Sequence, residues 1–127
     1  MTNSQVTSPR NNWDLEKRTT DFAKRVVRLC RSLPKDAVNN RLVGQIVGSA
    51  GSVGANYREA NDALGKKDFL NRLRIARKEA KETLHWLELL NEANAGSELK
   101  DEMRVLWKEC EELKNILSSI ISKSEPK

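Results

Sequence analysis

The chain has 127 residues, of which 38% are apolar, 32% charged and 5% aromatic, and its net charge is +5. That is the length of one domain, large enough to bury a core without a disulfide or metal staple. High charge with few aromatics and three prolines favours helices with long solvated faces over a β-sandwich, while the basic balance bears on partners and not on fold.

No apolar run is long enough for a membrane span. The polar start MTNSQVTSPRNN lacks the apolar stretch of a secretory signal, so a cytoplasmic protein is expected. Residues 1–12 and 123–127 read as disordered tails flanking a domain over 13–122.

Four segments follow with a period near 3.5 residues and no strand-like alternation. The first runs from about Asp14 to Leu33, with Leu15, Phe22, Val26, Leu29 and Leu33 on one face, and Pro34 stops it. The second spans about Ala37 to Asn61, on a stripe of Leu42, Ile46, Ala50, Val53, Tyr57 and Ala60. The third spans about Lys67 to Ala93 on Phe69, Leu73, Ala76, Ala80, Leu84, Leu87 and Leu90, and Asn94 to Gly96 gives a C-cap signal. Ser97 is the expected N-cap of the fourth helix, with Lys100 where a capping box has Glu or Gln. Its stripe is Leu99, Met103, Leu106, Cys110, Leu113, Leu117 and Ile120, an alternating three-four repeat. Four such helices with short loops predict an all-α, antiparallel up-down-up-down four-helix bundle.

Gly48, Gly51 and Gly54 interrupt the second helix among serines and alanines. Each costs a helix about 1 kcal/mol relative to alanine. A phosphate-cradling loop fits poorly, because the apolar period runs through the segment and no Gly-Lys-Ser/Thr follows. A small-residue face that admits a neighbouring helix closely, with a kink there, is the expectation.

Few catalytic constellations are available. The one histidine, His85, follows Glu82 in a Glu-x-x-His pattern, half of a di-iron motif whose other half is missing. The arginine nearest before His85 is Arg77, too distant for the helical ribonuclease spacing of Arg, four to six residues, His. Cys30 and Cys110 have no metal-ligand spacing and read as small core hydrophobes. No enzyme activity, metal or cofactor is expected.

Charge distribution says more. Residues 14–35 hold seven basic against three acidic side chains, and 66–81 seven against two, whereas 98–114 hold four against six. Lys24, Arg28 and Arg31 share a face of the first helix with Lys17, and Arg74, Arg77, Lys78 and Lys81 share one on the third. Such stripes suit a phosphate backbone, and equally suit a solvated face with ion pairs around Glu79. Trp86 and Trp107 flank the core stripes, where they seal the bundle's edge or form a subunit interface.

Two stretches together carry a family pattern. Ser52, Gly54, Ala55, Asn56 and Glu59 lie in the first, and Phe69, Leu73, Ile75, Ala76 and Glu82 in the second. They resemble the four helix bundle proteins also called 23S rRNA-intervening sequence proteins, over about residues 14–122. Arg58 and Ala60 depart from the family's usual alanine and glycine, and Glu79 from a small residue. The resemblance implies an antiparallel bundle assembling as a homopentamer. It also implies kinship with the accessory variability determinant proteins of diversity-generating retroelements, which bind nucleic acid and a reverse transcriptase. It carries no catalytic residue. Asn56, Glu59 and Glu82 carry over as motif residues, expected as a polar network between helices two and three.

The expected function is a non-enzymatic, oligomeric bundle that binds RNA or DNA, or a protein–RNA complex, through Lys24, Arg28, Arg31, Arg74, Arg77, Lys78 and Lys81. The alternative is a structural or adaptor protein whose partner is another protein and whose charge serves solubility.

Overall fold

A computed structural model describes residues 12–126, with side chains from Leu15 onward. Residues 1–11 and Lys127, assigned above to the tails, lie outside the described residues. The helices are α1 (Asn12–Ser32), α2 (Ala37–Asn61), α3 (Lys66–Ala93) and α4 (Lys100–Ser124), with no strand among the described residues.

Their ends follow local chemistry. Pro34 lies just beyond α1, where it cannot continue a helix. Asp36 caps α2, its carboxylate accepting from the Asn39 N–H at 2.8 Å. α3 ends at Asn94, and Gly96 turns the chain at φ +87°. The expected cap of α4 is displaced. Ser97 Oγ accepts from the Leu99 N–H at 2.9 Å, so it caps the preceding turn, and Leu99 itself is the N-cap. α4 also runs on to Ser124, past the expected tail boundary. The Glu125 N–H still bonds the Ile121 carbonyl, and Arg74 holds the Glu125 carboxylate at 2.6 Å.

Paired residues fix the direction of each helix. Moving along α1 from Arg18 to Arg25 moves the partner back along α4 from Glu109 to Glu102. Asn39–Asn94 and Ser49–Thr83 run α2 against α3, and Arg74–Glu125 and Ala80–Cys110 run α3 against α4. Loops of four, four and six residues cannot reverse this alternation, so the bundle is antiparallel, up-down-up-down. Each helix packs on two neighbours, and among the described residues α1 does not approach α3, nor α2 α4.

The core follows the predicted stripes with three shifts of phase, the first at the start of α3, where Leu70 is buried and Phe69 half-buried, and with Leu42 and Leu99 half-buried at its edge. On α3 the buried residue is Thr83, and Leu84 is half-buried beside the core. On α4 Ile121 is buried in place of Ile120. Polar side chains also occupy core positions: Thr19, Asn39, Ser49, Thr83 and Asn94.

The glycines divide into two kinds. A Cβ on Gly54 would lie 2.9 Å from Thr19 Oγ1, so α1 and α2 meet there as closely as the sequence suggests. A Cβ on Gly44, Gly48 or Gly51 would meet nothing within 4 Å. Those three face outward, and none of the described residues packs against them. α2 continues unbroken through all of them.

Candidate functional site

The α1 stripe survives folding intact. Lys24, Arg28 and Arg31 are exposed, and none has a carboxylate within ion-pair distance among the described residues. Asp21, at the head of the stripe, already accepts from Lys17 at 2.7 Å. That hydrogen bond holds its carboxyl below the usual range, and the fields of Lys24 and Arg28 push the same way.

The α3 stripe is partly engaged. Arg74 is held by Glu125, and Lys78 lies 3.9 Å from Glu82 one turn on. Arg77 is half-buried, while Lys81 is exposed with no ion pair among the described residues. The two stripes also stand apart. α1 and α3 occupy diagonal corners of the bundle, so the face carrying Lys24, Arg28 and Arg31 and the face carrying Lys81 do not merge into one surface.

The expected network of Asn56, Glu59 and Glu82 does not form. Antiparallel packing levels Glu82 with the middle of α2, about 13 Å along the helix axis from Glu59. Glu59 is exposed, and the carboxylate of Glu82 turns to Lys78 on its own helix. Asn56 alone bridges the helices: its amide donates to the Ser52 carbonyl and hydroxyl, and its Oδ1 accepts from Arg72 at 3.3 Å. The buried link between α2 and α3 is instead Thr83 Oγ1 to Ser49 Oγ at 2.8 Å. Thr83 also reaches the Glu79 carbonyl at 2.8 Å. Its signal in the sequence was a hydroxyl residue three positions after Ala80, in the register of the core.

The two tryptophans lie in different seams. Trp86 stands three residues beyond Thr83, on the flank of α3 turned to α2, with its ring 4.9 Å from that of His85. Trp107 projects from α4 to the opposite flank of α3, where its indole N–H donates to Glu88 at 3.3 Å. They do not form one apolar patch. Trp107 lines a groove of about 410 Å³ between α3 and α4, with Leu87 and Met103. Lys100, Arg104 and Lys108 stand along the α4 side of that groove on successive turns. This third set of cations was hidden in the sequence by the acidic excess of α4, although its i, i+4, i+8 spacing was readable.

Burial pushes the Cys30 thiol up to about 11 and the Cys110 thiol up to about 12, so neither supplies a thiolate near neutrality. Among the described residues no three His, Cys, Asp or Glu side chains cluster as a metal site.

Known proteins share this geometry. The chain is 35% identical to a crystallised protein of unknown function from the S23 ribosomal protein family of Bacteroides thetaiotaomicron. The match covers 87% of this chain and 97% of that one, at a TM-score of 0.74. No curated protein matches significantly. The family model described as 23S rRNA-intervening sequence protein matches residues 11–119, a span that takes in nearly all of the four helices. The two motif stretches, the bundle and this match converge: the chain belongs to the 23S rRNA-intervening sequence protein family.

Proposed function

We propose that this protein is a non-enzymatic, oligomeric bundle that binds nucleic acid through its basic faces. The observation that carries the reading is the run of Lys24, Arg28 and Arg31. These are three exposed cations on adjacent turns of a rigid helix, with no carboxylate in ion-pair reach among the described residues. A phosphate backbone is the complementary surface, because each neutralised phosphate releases a condensed counterion. On the α3 face Lys81 is the cation ready to bind. Arg74 and Lys78 act there only after releasing their carboxylate partners, and Arg77 only after leaving its half-buried position.

Assembly is the second half of the reading. Three outward glycines on α2 each cost roughly 1 kcal/mol of helix propensity, and this protomer uses none of them for close packing. A second copy laid against that face is the arrangement that gives them a use. Trp86 is the aromatic candidate at the same contact. A homopentamer is the proposed state, and five copies at +5 each carry +25, a field that steers polyanions and is screened by salt.

The test is anisotropy of a labelled RNA hairpin and of a DNA duplex across a salt series, on the wild type and on Lys24→Ala/Arg28→Ala. Binding should weaken in the variant, and the slope of log affinity against log salt should shrink by about 1 for each phosphate no longer neutralised. Binding that is unchanged in the variant, or insensitive to salt, overturns the stripe reading and leaves apolar docking of a protein partner as the function. Light scattering on the same samples reads the subunit number.

A further inference from the structure

We infer that the groove between α3 and α4 is a stacking site for one unpaired base of a single-stranded nucleic acid, with Trp107 as the platform and Lys100 and Lys108 as the phosphate contacts. The inference rests on the nucleic-acid reading above, but uses a different surface and specifies the form of the ligand.

The groove has two chemically distinct parts. Its floor is apolar: Leu87 from α3, and Met103 and Trp107 from α4. Its rim is cationic. Lys100, Arg104 and Lys108 recur every four residues, so their stems are spaced by about 6 Å along the helix. Lys100 and Lys108, the two phosphate contacts, are therefore about 12 Å apart, comparable to the separation of alternate phosphates on an extended strand. Arg104 is tied to Asp101 at 3.0 Å, whereas Lys100 and Lys108 have no ion pair among the described residues. An apolar planar floor beside a row of cations suits a ligand with a flat apolar part and regularly spaced negative charges. Nucleic-acid strands have that composition, and stacking on an aromatic ring accepts any base.

Size and fixity support the same occupant. A volume of about 410 Å³ lies within the range of small-molecule sites and accommodates a nucleotide unit. The bond from the Trp107 indole N–H to Glu88 at 3.3 Å anchors the ring across the groove before any ligand arrives. Glu88 is the one acidic side chain on the lining, and its charge opposes a nearby phosphate. Paired bases keep their faces inside the duplex stack, so the groove discriminates single strands from duplexes.

The test uses Trp13→Phe/Trp86→Phe, which leaves Trp107 as the sole tryptophan. Its fluorescence is titrated at low salt with twelve-residue oligo(dT), oligo(U) and a DNA duplex of equal length, while anisotropy of labelled strands reports total binding. Saturable quenching by the single strands but not by the duplex is expected. Lys100→Ala/Lys108→Ala, which changes only side chains at the rim, should weaken that quenching about tenfold with helicity unchanged, and Glu88→Gln should strengthen it. Oligo(dT) and oligo(U) should act alike, because the floor reads a ring face and not a sugar. Anisotropy binding without quenching, or quenching unaffected by Lys100→Ala/Lys108→Ala, overturns the groove assignment while the α1 stripe stands. Absence of binding in both measurements overturns both readings.

Discussion

Asn39 and Asn94 hold each other's amides reciprocally inside the bundle: Nδ2 of Asn39 donates to Oδ1 of Asn94 at 3.0 Å, and Nδ2 of Asn94 returns the bond at 2.9 Å. Each keeps its second amide proton for a backbone carbonyl, Pro34 for Asn39 and Leu90 for Asn94. The pair joins the first turn of α2, and through the Pro34 carbonyl the loop after α1, to the C-terminal cap of α3. A satisfied buried pair costs little, whereas an orphaned member costs its full desolvation. Asn39→Ala should therefore destabilise by about 1 to 3 kcal/mol, and Asn39→Leu/Asn94→Leu by less than its single changes combined. Urea unfolding of the four-member cycle measures the coupling, and strict additivity would show that the pair is not coupled.

The glycines give a prediction of opposite signs on one helix. Gly54→Ala places a methyl 2.9 Å from Thr19 Oγ1, which is itself bonded to the Glu16 carbonyl at 3.0 Å. Moving that hydroxyl aside breaks its bond, so a loss of about 1 to 3 kcal/mol is expected from overpacking. Gly44→Ala meets open space within one protomer and, with the protein held at concentrations where it is monomeric, should raise helix stability by up to about 1 kcal/mol. Thermal unfolding of the two variants side by side checks the order, and a reversed order would mean that α1 and α2 are farther apart than described.

The seam between α1 and α4 depends on arginine geometry. Arg18 reaches Glu109 through Nε and Nη2 at 2.8 and 2.9 Å, and Nη2 also meets Glu112. The hydrogen bond to Glu109 is the main reason its guanidinium is held more firmly protonated than usual, against the opposing effect of burial. Arg25 repeats the arrangement with Glu102. Lysine cannot supply a planar fork, so Arg18→Lys should lose about 1 to 2 kcal/mol, on the scale of charged hydrogen bonds. Arg25→Lys, at a more exposed site, should lose less. Chemical denaturation at two salt concentrations separates the two positions.

The cysteines link stability to alkaline pH. Both thiols have pKa values raised above 9.0 by burial, to about 11 for Cys30 and about 12 for Cys110. The folded state therefore retains protons that the unfolded chain has released. This contribution is complete below about pH 9 and is lost as pH climbs toward 11 and 12. Cys110→Ala should flatten the fall in melting temperature across that window. Iodoacetamide at pH 8 should leave both thiols unlabelled in the native protein and label both in urea.

Helices were legible because burial enforces period. Leu15 through Leu33 and Met103 through Leu117 are buried as their spacing predicts. The polar side chains in core register were not legible. Thr83 and Asn39 sit where an apolar stripe has gaps, and a sequence scan for apolar residues steps over them, to Leu84 in one case and Leu42 in the other. What makes them core residues is a partner from another helix, Ser49 or Asn94, and such pairs emerge only when the helices are placed in register. The same limit applies to the basic stripes. Local spacing identifies which cations share a helix face, but Glu125 reaching Arg74 and the diagonal placement of α1 and α3 are properties of the assembled bundle.

Because α1 and α4 are themselves neighbours, the four helices form a closed ring in which each has two partners. The start of α1 and the end of α4 lie at the same end of the bundle, as does the turn at residues 62–65, where Leu64 is fully exposed. Opening the chain at that turn and splicing its original ends with a short linker retains all four seams. The architecture is thus defined by cyclic helix order and is indifferent to the starting point of synthesis, which makes this bundle a natural host for circular permutation.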